Sequence, residues 1–303
     1  MGMHRIGRDL RTYYFDPRNR PVAGAHVGDT VVFETVDCFD GQIETERDLV
    51  DTIDMSHVNP TTGPLEVYGA VPGHVLAVKV LAIEAVGNAI AALIPGVGVL
   101  KGSAPGPFTR VCPIIDGKTV FSADTTIESR LMVGTIGTTP EERVPTGLPG
   151  DHGGNMDVPL VGVGATIYLP VFTPGALLQM GDVHSAMGDG ECSVTGMECS
   201  AEVTVRIVDL VEGRFLPGPL VETADAWGVV ASARVFDDAM RVAVRRAAGF
   251  LARRLALTPE DAAVLLSASC NARIAQWADA NYDTVIYVEV PKYLDRKGRL
   301  RAF

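Results

Sequence analysis

Four residues able to do chemistry, Asp182, His184, Asp189 and Glu191, sit together just after a long uncharged stretch. From Val158 to Gly181 no side chain carries a charge. A carboxylate and an imidazole two residues apart on an extended segment point to the same face, so Asp182 and His184 can meet at one place. Together they suit a divalent ion such as zinc, which takes nitrogen and oxygen ligands in a tetrahedral set. The following Gly188-Asp189-Gly190-Glu191 reads as a tight turn able to fold two more carboxylates over the same point. Taken singly, each residue has a plainer reading: a turn cap, a surface histidine, a solvated hairpin tip. Costly polar groups collected at the end of a strongly apolar segment favour chemistry for the set.

The elements that must position these groups are strands. The apolar run is long enough to span a bilayer, about 20 residues. Pro170, Pro174, Gly162, Gly164 and Gly175 would break a helix there. Ile167, Leu169 and Val171 alternate with Thr166, Tyr168 and Pro170, and Thr173-Pro174-Gly175 makes a turn, so the run predicts two buried strands. Alternation also predicts strands at AHVGDTVVFETVD, at 69–85 and at 202–210. Between the first two, the acidic segment VDCFDGQIETERDLVDTIDMSHVNPTTGP is long for a connection, which points to function or mobility. Towards the C-terminus, DDAMRVAVRRAAGFLARRLA predicts a helix from Asp237 to about Ala256, with Arg241, Arg245 and Arg246 on a solvated face. A second helix is capped by Thr258, with Pro259 at its first position. The expected fold is mainly β (α+β): a sandwich- or barrel-like core with C-terminal helices, one domain over 1–303.

Composition narrows the partners. A formal net charge of −11 disfavours nucleic acid and anionic membrane surfaces. Cys38, Cys112, Cys192, Cys199 and Cys270 are scattered and odd in number, with no CxxC pair, as expected of reduced thiols in a cytoplasmic protein. The N-terminal MGMHRIGRDLRTYYFD lacks the apolar core of a secretory signal. A homodimer or homotetramer suits the weakly charged surface inferred.

HGGNMD at 152–157, YLPV, PGAL and GD.H...GDGE, in that order, resemble the acetamidase/formamidase family. VDCFDGQI at 36–43, VNPTTGPLEVYGAVPG at 58–73, MVGTIGTTP at 132–140, RIAQ at 273–276 and VPK at 290–292 extend the likeness along nearly the whole chain. The resemblance implies hydrolysis of a small carboxamide, with release of ammonia, in a mainly β fold carrying a metal site. On that reading Asp182 and His184 are metal ligands, with Asp157 and Asp37 as candidates for the third, for a divalent metal expected to be zinc, calcium being the alternative. Glu191 is the general base, Asn155 donates a hydrogen bond to the carbonyl oxygen, and His152 is a second candidate proton carrier. Asp189 and Asp40 are expected at the substrate. A lactam or other amide stays open as substrate. The rivals are thiol catalysis by Cys192 and a β-sandwich binding module with structural calcium on Asp182, Asp189 and Glu191.

Overall fold

The computed structural model describes residues 2–102, 106–277 and 283–303. Its principal strands, in chain order, are β1 (Thr30–Thr35), β2 (Thr61–Val67), β3 (Val75–Leu93), β4 (Met132–Gly137), β5 (Gly153–Asn155), β6 (Thr166–Pro170), β7 (Leu178–His184), β8 (Glu198–Val211) and β9 (Ala226–Ala233). Two helices, α1 (Phe236–Leu255) and α2 (Pro259–Ser269), precede β10 (Asn271–Gln276) and β11 (Thr284–Pro291). The architecture is mainly β with C-terminal helices. The uncharged run folds as the two buried strands β6 and β7, and among the described residues no helix is long and apolar enough to cross a membrane.

β3 and β8 form the backbone of the sheet. They pair antiparallel from Val75↔Val211 to Ile90↔Glu198, with register shifts that bend the ribbon. β8 also pairs with β1 through Val203↔Phe33, while β6 lies along β3 through Ile167↔Val78. Alternate residues Ala201, Val203, Val205 and Ile207 of β8 meet Val31 and Phe33 of β1 and Val78 and Val80 of β3 in the main core. On this frame β7 pairs with β2, β4 and β8 at once, so every one of its seven residues is buried. A strand enclosed in this way holds its side chains in fixed positions.

The C-terminal layer rests on β9 and β11, paired antiparallel from Ala226↔Pro291 to Ala233↔Thr284. Ala239, Ala243, Ala247, Phe250 and Leu251 of α1 bury against Trp227, Val229, Ile286 and Val288. Asp237 and Asp238 at its start and Arg253 and Arg254 at its end oppose the helix dipole. Thr258 caps α2 through its hydroxyl, which accepts the Asp261 N–H at 3.1 Å. The solvated face expected for the arginines holds for Arg241 and Arg245 but not for Arg246. Its guanidinium turns inward, donating to Asp151 at 2.8 Å and to the Val230 carbonyl at 3.1 Å, because it sits over the edge of β9.

These placements separate core from surface on the helices. Leu251→Ala, at a position with no exposure, should lower unfolding free energy by about 2–5 kcal/mol. Val264→Ala, on the exposed face of α2, should change it by no more than about 0.5 kcal/mol. Urea unfolding followed by circular dichroism distinguishes the two.

Candidate active site

Three backbone segments deliver a buried cluster of ionisable groups. β7 carries Asp182 and His184; the turn after β5 carries Asp157; the first residue of β8 is Glu198, paired directly with His184. The loop between β7 and β8 adds Glu191. None of these five side chains is more than 8% exposed. His184 Nε2 lies 3.1 Å from Glu198 Oε2, 3.5 Å from Asp182 Oδ1 and 3.7 Å from Asp157 Oδ1.

The local backbone differs from an ideal strand. Asp157 (φ 49°), Asp182 (φ 54°) and Glu191 (φ 43°) all adopt left-handed conformations, costly for non-glycine residues and concentrated here. Close packing explains the neighbouring glycines. A Cβ on Gly134, in β4, would lie 2.3 Å from Asp157 Oδ1 and 2.6 Å from Asp182 Oδ2. One on Gly196 would lie 2.7 Å from His184 Nδ1. Both glycines let the backbone approach the charged groups.

The chain ties one oxygen of a carboxylate and leaves the other free. Asn155 Nδ2 donates to Asp157 Oδ2 at 2.8 Å, and the Gly196 N–H donates to Glu198 Oε1 at 2.7 Å. Oδ2 of Asp182 faces the Thr135 hydroxyl at 3.4 Å, although that hydroxyl lies closer to Asn155 Oδ1. Asp157 Oδ1, Glu198 Oε2 and both nitrogens of His184 have no hydrogen-bond partner. Buried polar atoms are nearly always paired, so four such atoms in one cluster make it a candidate binding point. Two donor triads, Cys38/Asp182/Glu198 and Asp157/His184/Glu191, each have their ligand atoms within 4.8 Å of one another. Imidazole with carboxylates matches the donor chemistry of zinc.

Burial and mutual repulsion shift these groups. Burial raises the Asp157 pKa well above its usual value, reinforced by the charges of Glu191 and Asp182. Burial, with Glu198 and Asp182, pushes Glu191 up to about 8, and Glu198 rises to about 7 for the same reason of burial, against the pull of His184. For His184 burial works downward, but Glu198 and Asp182 more than offset it and the imidazole rises well above normal. Asp182 goes the other way: burial opposes its charge, yet the imidazole of His184 holds its carboxyl below the usual range. The Cys38 thiol is driven far up by burial and by the Glu198 and Asp182 charges.

A cavity of about 130 Å³ opens onto the cluster, lined among others by Asn59, Asn155, Asp182, Glu191, Glu198 and Gln276. A single water needs about 10–15 Å³ measured this way, so the space takes several waters or a ligand of a few heavy atoms. Ile94, from the apolar stretch at 89–100, forms part of its wall.

Other residues anticipated at the site stand elsewhere. Asp37 Oδ1 accepts the N–H groups of Phe39 and Gly41 at 3.0 and 3.3 Å and so closes its own loop; it belongs to neither triad. Asp40 is paired with Arg11 at 2.6 Å and with the Tyr13 hydroxyl at 2.7 Å. Asp189 is held by Arg273 and by the Tyr287 hydroxyl, each at 3.0 Å. Neither aspartate lines the cavity. Asn155 does, but its Nδ2 is directed to Asp157. His152 is buried edge-on against Phe15, with ring centroids 4.9 Å apart, and lies outside the cavity wall. Sequence reasoning missed Glu198, Cys38, Asn59 and Gln276. Only Glu198 carried a local signal: extending the alternation of β8 backwards puts its even-numbered residues opposite the core face.

The family model for the acetamidase/formamidase family matches residues 13–148 and 143–294. The chain belongs to that family. Its fold is similar to the crystal structure of a predicted acetamidase/formamidase from Thermoanaerobacter tengcongensis, with 36% identity, a TM-score of 0.94, and coverage of 99% of this chain and 100% of that one. It is likewise similar to an acetamidase from Bacillus halodurans, with 36% identity, a TM-score of 0.92, and coverage of 96% and 98%. A formamidase-like protein of Schizosaccharomyces pombe is 26% identical over 267 residues, 64% of each chain. The chain therefore spans just under two thirds of that relative's length, and its matches to two further curated relatives span 21% and 22% of theirs.

The environment of His152 has a consequence for stability. Burial pushes its pKa from 6.5 down to about 4. Above pH 6.5 neither folded nor unfolded chain binds this proton; between 6.5 and about 4 only the unfolded chain does, so stability falls as pH falls. Between pH 7 and 5 the loss from this group should reach about 2 kcal/mol, at about 1.4 kcal/mol per pH unit. Urea unfolding of wild type and His152→Asn at both pH values should give a smaller drop in the variant; equal drops would show that His152 is charged or solvated in the folded chain.

Proposed function

We propose that this chain hydrolyses a small linear carboxamide of the acetamide or formamide type to a carboxylate and ammonia, assisted by a divalent cation, preferably zinc. The observation that carries the reading is the set of unpartnered donor atoms on Asp157, His184 and Glu198 beside a small cavity that Asp182 and Glu198 line. Membership of the acetamidase/formamidase family supports the reaction type. His184 Nε2, Asp157 and Asp182 would hold the cation, their atoms standing within 3.7 Å of the imidazole nitrogen. A bound divalent cation would polarise the amide carbonyl and lower the pKa of a water. Calcium suits an imidazole-containing set poorly, since it prefers oxygen ligands.

The chain's own groups do the remaining work. Glu191 borders the cavity; burial holds its carboxyl largely protonated near neutral pH, and once a cation offsets the neighbouring carboxylates it would ionise, take a proton from water and return it to the departing nitrogen. Asn155 fixes Asp157 through Nδ2 and is itself held by Gln276, which donates to its carbonyl at 2.6 Å. Such outer contacts orient ligands. A cavity of about 130 Å³ lined by carboxyl groups fits a neutral molecule of a few heavy atoms best.

Ammonia release from formamide, acetamide and longer amides, with and without chelator, tests the proposal. Activity should disappear on chelation and return with zinc. His184→Ala should lose both bound metal, by elemental analysis, and turnover; full metal content with unchanged turnover defeats the ligand assignment. Glu191→Gln should lower kcat by about 10²–10⁴-fold while leaving the fold intact.

A further inference from the structure

We propose that the cluster holds a second divalent cation on its cavity side, bound by Cys38, Asp182 and Glu198. This rests on the cation-assisted reading above and extends it by two further ligands, Cys38 and Glu198, with Asp182 shared. The sulfur of Cys38 and carboxylate oxygens of Asp182 and Glu198 lie within 4.8 Å of one another. Zinc holds sulfur at about 2.3 Å and oxygen at about 2.0–2.2 Å, which places tetrahedral donors about 3.5 Å apart. The triad reaches that spacing by side-chain adjustments of about an ångström.

Two observations define this position. Glu198 is 1% exposed, with Oε1 occupied by the Gly196 N–H, and its Oε2 has no hydrogen-bond partner. Oε2 lies 3.1 Å from His184 Nε2 as an ion pair without hydrogen-bond geometry, which leaves a lone pair for a further ligand. Cys38, Asp182 and Glu198 all line the cavity, whereas Asp157 and His184 do not. Glu191 lines it as well, and Asp182 is shared by both positions, so a cation on either side borders the space open to substrate. Asp182 would bridge, since it belongs to the thiol triad while its Oδ1 stands 3.5 Å from His184 Nε2.

A thiolate ligand selects for zinc, or cobalt in its place, and against calcium and magnesium. Binding forms a sulfur–metal bond and sends the thiol proton to solvent. Cys38 would thus be a ligand and not the attacking group.

The intact chain, stripped with chelator and reloaded, tests this. Reloading with zinc should give two equivalents per chain in wild type and one in Cys38→Ser. Reloading with cobalt(II) should give a sulfur-to-cobalt charge-transfer band in the near ultraviolet that Cys38→Ser abolishes. Without any variant, zinc should protect Cys38 from alkylation, read by peptide mapping of stripped and reloaded wild type, so the outcome stands even if Cys38→Ser fails to fold. One equivalent in wild type, no charge-transfer band and no protection would overturn the second position while leaving the first intact. No bound metal at all would overturn both.

Discussion

Burying Asp157, Asp182, Glu191, Glu198 and His184 in one place is the constraint around which the molecule is built. Each ion taken from water costs several kcal/mol unless partners replace its hydration. The chain supplies only part of that replacement, through Asn155 Nδ2 and the Gly196 N–H. Because those donors grip one oxygen each, the remaining oxygens are fixed in direction without being satisfied. The surrounding sheet must absorb the cost. Enclosing β7 among β2, β4 and β8 does so, since the apolar sides of these strands contribute burial that unfolding around the cluster would lose.

The backbone departs from regularity where the charges sit. Asp157 and Asp182 take left-handed conformations on either side of Gly134, whose bare Cα leaves room for both carboxylates. Asp182 and His184 share one side of β7, Oδ1 standing 3.5 Å from Nε2, with Asp182 left-handed and Val183 between them in the core. Strain of this kind persists only where neighbouring structure over-determines it. Here the pairing of Val183 with both Val133 and Cys199 provides that restraint.

Much of this was legible in the sequence, and the remainder was hidden for a physical reason. Strand alternation located β6 and β8, the apolar run after the Thr173-Pro174-Gly175 turn located β7, helix periodicity located α1, and the Thr258-Pro259 cap located α2, because each is a local pattern. Asp157, Asp182, His184 and Glu191 stood out because they border an uncharged run, and the fold does bring them together. Asp37, Asp40 and Asp189 had the same appearance, polar residues in turns after apolar strands. What separates them is their partners: loop N–H groups for Asp37, Arg11 and Tyr13 for Asp40, Arg273 and Tyr287 for Asp189. Most of those partners are remote in sequence. Glu198 and Cys38 were missed for the converse reason. Glu198 enters through its register opposite His184, and Cys38 through the folding back of the loop after β1, neither of which has a local signature.

The same remote partners explain why the C-terminal layer belongs to the site. Arg273 and Tyr287 hold Asp189, the Gly190 N–H donates to the Ala275 carbonyl at 3.1 Å, and the Trp277 N–H donates back to the Gly190 carbonyl at 3.0 Å. The loop carrying Glu191 is therefore laced to β10 and β11 through the two residues just before the glutamate. Gln276, at the end of β10, reaches the Asn155 carbonyl and closes the cavity wall. β10 is positioned by β11, and β11 by the packing of α1 on the opposite face. A proton-carrying group must be held within a fraction of an ångström of its target to be effective. The helices thus act at a distance: by stiffening β10 and β11 they fix a carboxyl that a free loop, bent through a left-handed residue, could not hold still.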